Sequence, residues 1–135
     1  MGVTAEQIAN VPAENIHVSR EDFGRLWAYA DHLGRLRDTG PYAIGVLFAC
    51  EWIAAQPVWS KVSKRWELPA SPVTERHYKA MPETIDAEHL AAARASAPGT
   101  TGRRAERARG AAAMLEWAWA RTGRSPLDLP AVPTG

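Results

Sequence analysis

Between Ser19 and Leu36 the apolar residues Phe23, Leu26, Trp27, Ala30, Leu33 and Leu36 recur at spacings of three and four, which puts them on one stripe of an α-helix. Ser19 can cap the free amides of that helix, and Asp22 three positions on is a weaker form of the glutamate in a capping box. Gly40 and Pro41 stop it. Pro41 also suits the first turn of a second helix, where its missing amide would have had no partner. Tyr42 to Ala55 is apolar on nearly every side, so this second helix is expected in the centre of the molecule, ended by Pro57.

The next stretch, Val58 to Leu68, carries Val58, Val62 and Trp66 at helical spacing. It predicts a short amphipathic helix in which Trp59 and Trp66 share a face, with Lys61, Lys64 and Arg65 largely elsewhere. Pro69, Pro72 and Pro82 interrupt the chain beyond it and leave room for one or two turns, placed at Thr74 to Ala80. That segment reads as a crossover between helices, with a recognition loop as the alternative. Thr84 then offers a cap for a helix from Ile85 to Ser96, with Asp86 and Glu88 near its positive end. Pro98 and Gly99 close it, and a last helix is expected from about Thr101 to Thr122, closed by Gly123.

The two ends are less regular. Residues 1–18 show no sustained period and read as a strap over the core, or as a single helical turn around Thr4 to Ala9. Asn15 to Val18 is the only hint of a strand. In the closing SPLDLPAVPTG, Leu127 and Leu129 are expected to pack back on the body, and the chain to fray from Ala131. The whole reads as all-α: a small globular helical bundle of four to five helices with a proline-rich crossover and irregular termini. Its organisation is an N-terminal strap (1–18), a helical domain (19–123) and a proline-rich tail (124–135). Phe23, Trp27, Leu33, Leu47, Cys50, Ile53, Leu115 and Trp117 are the expected core.

One pattern recurs. GVLFACEW at 45–52 and GAAAMLEW at 110–117 share a glycine, a run of small or apolar residues, and Glu-Trp. The tryptophan stands seven positions after the glycine, two turns on and on the same face. Two helices that cross closely at Gly45 and Gly110 would account for the skeleton. Glu51 and Glu116 lie beside that face, and a buried one would need a partner.

Composition narrows the picture. At 135 residues and a net charge of +1, the chain has the size of one domain and no global pull towards nucleic acid or an anionic membrane. Six tryptophans and many alanines supply apolar area where large aliphatic residues are sparse. Arginine far outnumbers lysine, as in a GC-rich bacterial coding sequence. The N-terminus has neither a basic start nor an apolar run, Glu6 spoils an acylation signal at Gly2, and no apolar stretch reaches the length of a membrane span. A cytoplasmic location is expected, with no membrane partner.

Candidate chemistry is thin. Cys50 sits within the most apolar helix, far from its N-terminal amides, where a thiol is an inert hydrophobe. GTTGRR near residue 99 lacks the spacing and the lysine of a phosphate loop. His17, His32, His77 and His89 form no metal-ligating spacing, so no metal, cofactor or catalytic residue is assigned. Arg103, Arg104, Arg107 and Arg109 at a helix start, with Lys61 and Lys64, are candidate phosphate contacts. Trp59, Trp66, Trp119 and Arg65 are candidate interface residues, because tryptophan and arginine anchor protein interfaces. The favoured expectation is a small non-catalytic interaction protein or accessory subunit, its partner another protein or a second copy of the chain. The alternatives are a nucleic-acid or phosphate binder using those cations, and an enzyme or ligand-binding protein with a helical pocket near Glu51 and Glu116.

Overall fold

The computed structural model describes residues 2–120 and 124–129. It is an all-α bundle of five helices with one small hairpin: α1 (Ala5–Ala9), α2 (Arg20–Gly34), α3 (Pro41–Ile53), β1 (Val58–Ser60), β2 (Arg65–Glu67), α4 (Pro82–Ala95) and α5 (Arg103–Leu115), the last continued by a π-helical turn over Glu116–Ala120.

Local chemistry sets most helix boundaries. Ser19 Oγ accepts from the Asp22 amide at 3.0 Å, and Pro41 occupies the first turn of α3. Thr4 and Gln7 form a reciprocal capping box on α1. Arg20 Nη1 donates to the carbonyls of Ile8 (3.0 Å), Ala9 (3.2 Å) and Val11, satisfying the open end of α1 and holding it on α2. At α4 the expected boundary shifts. Pro82 starts the helix, and Thr84, two residues in, accepts from the Met81 amide at 2.9 Å rather than serving as the cap itself.

The core gathers around α3 and α5, which make the most extensive helix–helix contact in the molecule. Phe23, Leu26, Trp27 and Ala30 of α2 pack with Val46, Ala49, Cys50, Trp52 and Ile53 of α3, and α3 in turn packs on α5, whose Ala111, Met114 and Leu115 complete the buried cluster. Of the expected core, Phe23, Trp27, Leu47, Cys50, Ile53 and Leu115 are buried, whereas Leu33 and Trp117 are half-buried. Leu36 is 44% exposed, because α2 ends at Gly34 and the stripe does not continue past it. Leu127 and Leu129 do pack against the core, and the Tyr42 hydroxyl donates to the Pro126 carbonyl at 3.0 Å. The expected end of the last helix at Thr122 and Gly123, and the fraying from Ala131, lie outside the described residues.

The repeated skeleton marks the α3–α5 crossing. A β-carbon on Gly45 would overlap the Arg107 carbonyl and stand 3.1 Å from the Ala111 nitrogen; one on Gly110 would overlap the Tyr42 carbonyl and stand 3.1 Å from the Val46 nitrogen. The two contacts are equivalent under a local two-fold exchange of the helices. Cys50 Sγ lies 3.8 Å from Met114 Sδ further along, so the helices run side by side in the same direction. The equivalence lapses at the tryptophans. Trp52 is buried and donates Nε1 to the Tyr78 carbonyl at 3.0 Å, while Trp117 falls in the π-helical turn, whose wider spacing moves it off the seam.

Two expectations are corrected. Val58 to Leu68 is not a helix but an antiparallel hairpin pairing Val58 with Glu67, Trp59 with Trp66 and Ser60 with Arg65. Valine and tryptophan favour extended backbone, and the cross-strand tryptophan pair stabilises the register. Thr74 to Ala80 forms no helix. The segment runs irregularly, because its amides are claimed by side chains: Glu88, fully buried, accepts from the Val73 amide (2.8 Å), the Thr74 amide (2.6 Å), the Thr74 hydroxyl (2.8 Å) and the Tyr78 hydroxyl (3.2 Å). Because α4 begins at Pro82, Glu88 stands six residues in rather than near the positive end of the helix, and it serves to pin the crossover.

Candidate functional site

The crossover, the hairpin and the outer ends of α3 and α5 enclose a cleft of about 560 Å³. Phe48 and Glu51 come from α3, Val58 from β1 and Arg107 from α5; Pro69 to Pro72, Glu75 and His77 close the remaining side. The crossover wall is fixed from behind. Besides the Glu88 bonds, Asn15 Nδ2 donates to the carbonyls of Ile53 (3.0 Å) and Ala80 (3.1 Å), and the buried Ser71 bonds Thr74 Oγ1 (2.9 Å) and accepts from the Arg76 amide (3.0 Å). Glu75 sits in the left-handed backbone region at φ 57°, a conformation that persists only when its surroundings impose it. Its carboxylate lies 3.7 Å from Arg107.

Glu51 is half-buried in this cleft, and its carboxyl has no hydrogen bond or ion pair among the described residues. Burial, reinforced by Asp31, pushes its carboxyl up to about 7. Glu116 is elsewhere, 3.9 Å from His89 Nε2, so the helical pocket expected to join Glu51 with Glu116 is not formed. Glu51 instead shares its cleft with His77 and Glu75.

The tryptophans divide into two kinds. Trp59 and Trp66 stand on the hairpin 52% and 66% exposed, their rings edge-to-face with centroids 5.7 Å apart. Val62 at the hairpin turn is 96% exposed. Lys61, Lys64 and Arg65 surround them in solvent, and Lys64 takes a left-handed φ of 56° to close the turn. Arg65 reaches Glu67 at 3.4 Å; the Ser63 hydroxyl, then Arg65, hold the Glu67 carboxyl below its usual range. Trp119, by contrast, is engaged internally: its indole stacks on His17 at 4.6 Å and donates to Asp86 at 2.7 Å.

The candidate phosphate contacts also separate. Arg103, Arg104 and Arg107 line one smaller cleft of about 280 Å³ beside Pro41 and Ile44. Arg109 is held by Glu106 and the Thr100 carbonyl, and Lys61 and Lys64 belong to the hairpin. Cys50 is fully buried, and burial followed by Glu51 raises its thiol well above the usual range. His17, His32 and His89 are scattered over α2, α4 and the N-terminal arm, and among the described residues no group of His, Cys, Asp and Glu is placed to hold a metal ion. Among them, too, no helix is long and apolar enough to cross a membrane.

Sequence reasoning missed the cleft and Glu88. The cleft depends on the fold, and nothing local announced it. Glu88 had a signal: it lies three residues after Ile85 and four before Ala92, on the one buried stripe of α4, where a carboxylate must be fully hydrogen-bonded.

Fold and site together define a small all-α bundle that carries an exposed tryptophan hairpin beside a largely apolar cleft, in which the Glu51 carboxyl has no partner among the described residues. Comparison with family models, curated proteins and solved structures finds no match to this chain.

Proposed function

We propose that the chain is a small interaction protein whose contact element is the tryptophan hairpin. The supporting observation is the edge-to-face pair of Trp59 and Trp66, more than half exposed, beside a nearly bare Val62. Exposed apolar side chains in one element of a small domain mark contact surfaces, and tryptophan contributes most of all residues per contact. The cations Lys61, Lys64 and Arg65 around the pair suit a protein surface with an apolar recess and an acidic rim. The test is affinity capture from nuclease-treated lysate by the wild-type chain and by the Trp59→Ala/Trp66→Ala variant. A stoichiometric partner retained by the first and lost by the second supports the reading. Equal capture by both removes the hairpin from the contact.

A second reading rests on the convergence of Arg103, Arg104 and Arg107 in one cleft, which fits a phosphate group. Recovery of nucleic acid only without nuclease, weakening steeply with salt, would put that reading ahead.

A further inference from the structure

The 560 Å³ cleft is a separate feature from the exposed hairpin face, with properties that docking of a partner on the tryptophans does not use. Its volume falls within the range of small-molecule sites. Its walls are apolar where Phe48, Val58, Pro69 and Pro72 face it. Its irregular side is held rigid by the buried Glu88 and Asn15, so the cavity exists before any ligand arrives and little ordering is required on binding.

The polar groups inside are unevenly matched. Arg107 has Glu75 as its counter-ion at 3.7 Å. Glu51 has no such partner among the described residues, and both influences on it act in the same direction: burial and Asp31 disfavour its charged form. A carboxyl without donors among the described residues, in the lining of a largely apolar cleft, is complementary to a cation that brings its own hydrogen-bond donors.

We infer that the cleft binds a small amphipathic amine, with its protonated nitrogen on Glu51 and its apolar body against Phe48, Val58, Pro69 and Pro72. The ammonium supplies the donors that Glu51 lacks, and the body covers the apolar wall.

Three probes with one indole body and different ends provide the test: tryptamine, tryptophol and indoleacetate, titrated into ¹⁵N-labelled full-length protein. Tryptamine is expected to shift the amides of Phe48 to Trp52 and of Ala70 to Glu75, and to bind about tenfold more tightly than tryptophol, the worth of one charge-assisted contact. Glu51→Gln should bring tryptamine down to the level of the alcohol. Tryptamine affinity should also rise as the pH is raised through about 7, because the alkylammonium stays protonated while Glu51 ionises. Among the described residues, the other titratable groups around Glu51 are Asp31 on α2, the buried Cys50 thiol beside it on α3, Glu75 and His77 on the crossover, and Arg107 on α5. A His77→Gln variant should keep the same pH profile, which assigns the titration to Glu51. Preference for indoleacetate would overturn the inference, since Arg107 would then select the ligand. Equal binding of all three probes, or of none at millimolar concentration, would overturn it as well. Tryptamine binding should persist in Val62→Ser, which alters the bare tip of the hairpin and leaves Val58 and the Trp59–Trp66 pair in place, so the cleft and the hairpin tip are tested separately.

Discussion

Replacing Gly45 by alanine tests whether the α3–α5 crossing holds the fold together. The added β-carbon would overlap the Arg107 carbonyl oxygen, with the carbonyl carbon at 2.9 Å and the Ala111 nitrogen at 3.1 Å. All three are backbone atoms of a packed helix, so no side-chain rotation relieves the clash. The helices must separate by about 1 Å, a gap that forfeits a quarter to a half of the dispersion energy across it. Val46, Ala49, Cys50, Ala111, Met114 and Leu115 are fully buried around this seam. At roughly ten cross-seam contacts each, they lose about 0.5 kcal/mol apiece, near 3 kcal/mol in all. Alanine returns about 1 kcal/mol through its better helix propensity. The net loss is about 2 kcal/mol, a large part of the stability of a small domain and within the range seen for overpacked cores.

Urea denaturation followed by far-ultraviolet circular dichroism measures this directly, as a lower midpoint at unchanged slope. Gly34→Ala is the control. Its β-carbon would meet only the flexible end of Leu47, at 2.7 Å, so its stability should stay within about 0.5 kcal/mol of wild type. Gly45→Ala/Gly110→Ala should lose less than the sum of the single variants, because one separation of the helices relieves both clashes. If Gly45→Ala is as stable as Gly34→Ala, the reading of the crossing is wrong.

Two further outcomes are expected. Glu88→Ala strands four donors on the crossover and should lower stability by about 3 kcal/mol, with Glu88→Gln intermediate. Hydrogen exchange at the Val73 and Thr74 amides should accelerate in Glu88→Ala, and unchanged exchange there would show that Glu88 does not pin the segment. Glu51, with its folded value raised to about 7 from 4.5, keeps its proton in the native state longer than in the unfolded chain. Stability should therefore fall as pH rises from about 4.5 to about 7 and then level off, by on the order of 2 kcal/mol. Glu51→Gln should remove that slope, matching wild type in acid and exceeding it at neutral pH. Superimposable pH profiles for the two proteins would refute the assignment to Glu51.

Helix positions were largely legible in the chain because helices are specified locally. The three-and-four spacing of Phe23 to Ala30, the Ser19 cap and the Pro41 start each act within a few residues, and each stands in the structure. The glycine pair at 45 and 110 was legible for a related reason: a repeated glycine on an apolar helix face is useful where two backbones meet. The hairpin was not legible. Its turn carries no glycine or asparagine to announce it, and Val58, Val62 and Trp66 satisfy helical spacing equally well. What decided the hairpin lies beyond helical spacing: Trp59 pairs with Trp66 across the strands, and Val58 joins Phe48 in lining the cleft.

The same division runs through the candidate site. Sequence named Trp59, Trp66 and Glu51 as residues worth watching but could not say which were bare and which enclosed. Exposure depends on elements that lie far away in the chain. Trp119 is occupied by His17, distant in sequence, and Asp86, whereas Trp59 has only Trp66 as an aromatic neighbour among the described residues. Glu51 and Glu116 occupy matching places in the repeated skeleton, yet one opens into an apolar cleft and the other faces His89. Spacing along a helix fixes which face a residue takes. Only the packing of the other elements fixes what that face meets, because burial and electrostatics are properties of the assembled surroundings rather than of the chain.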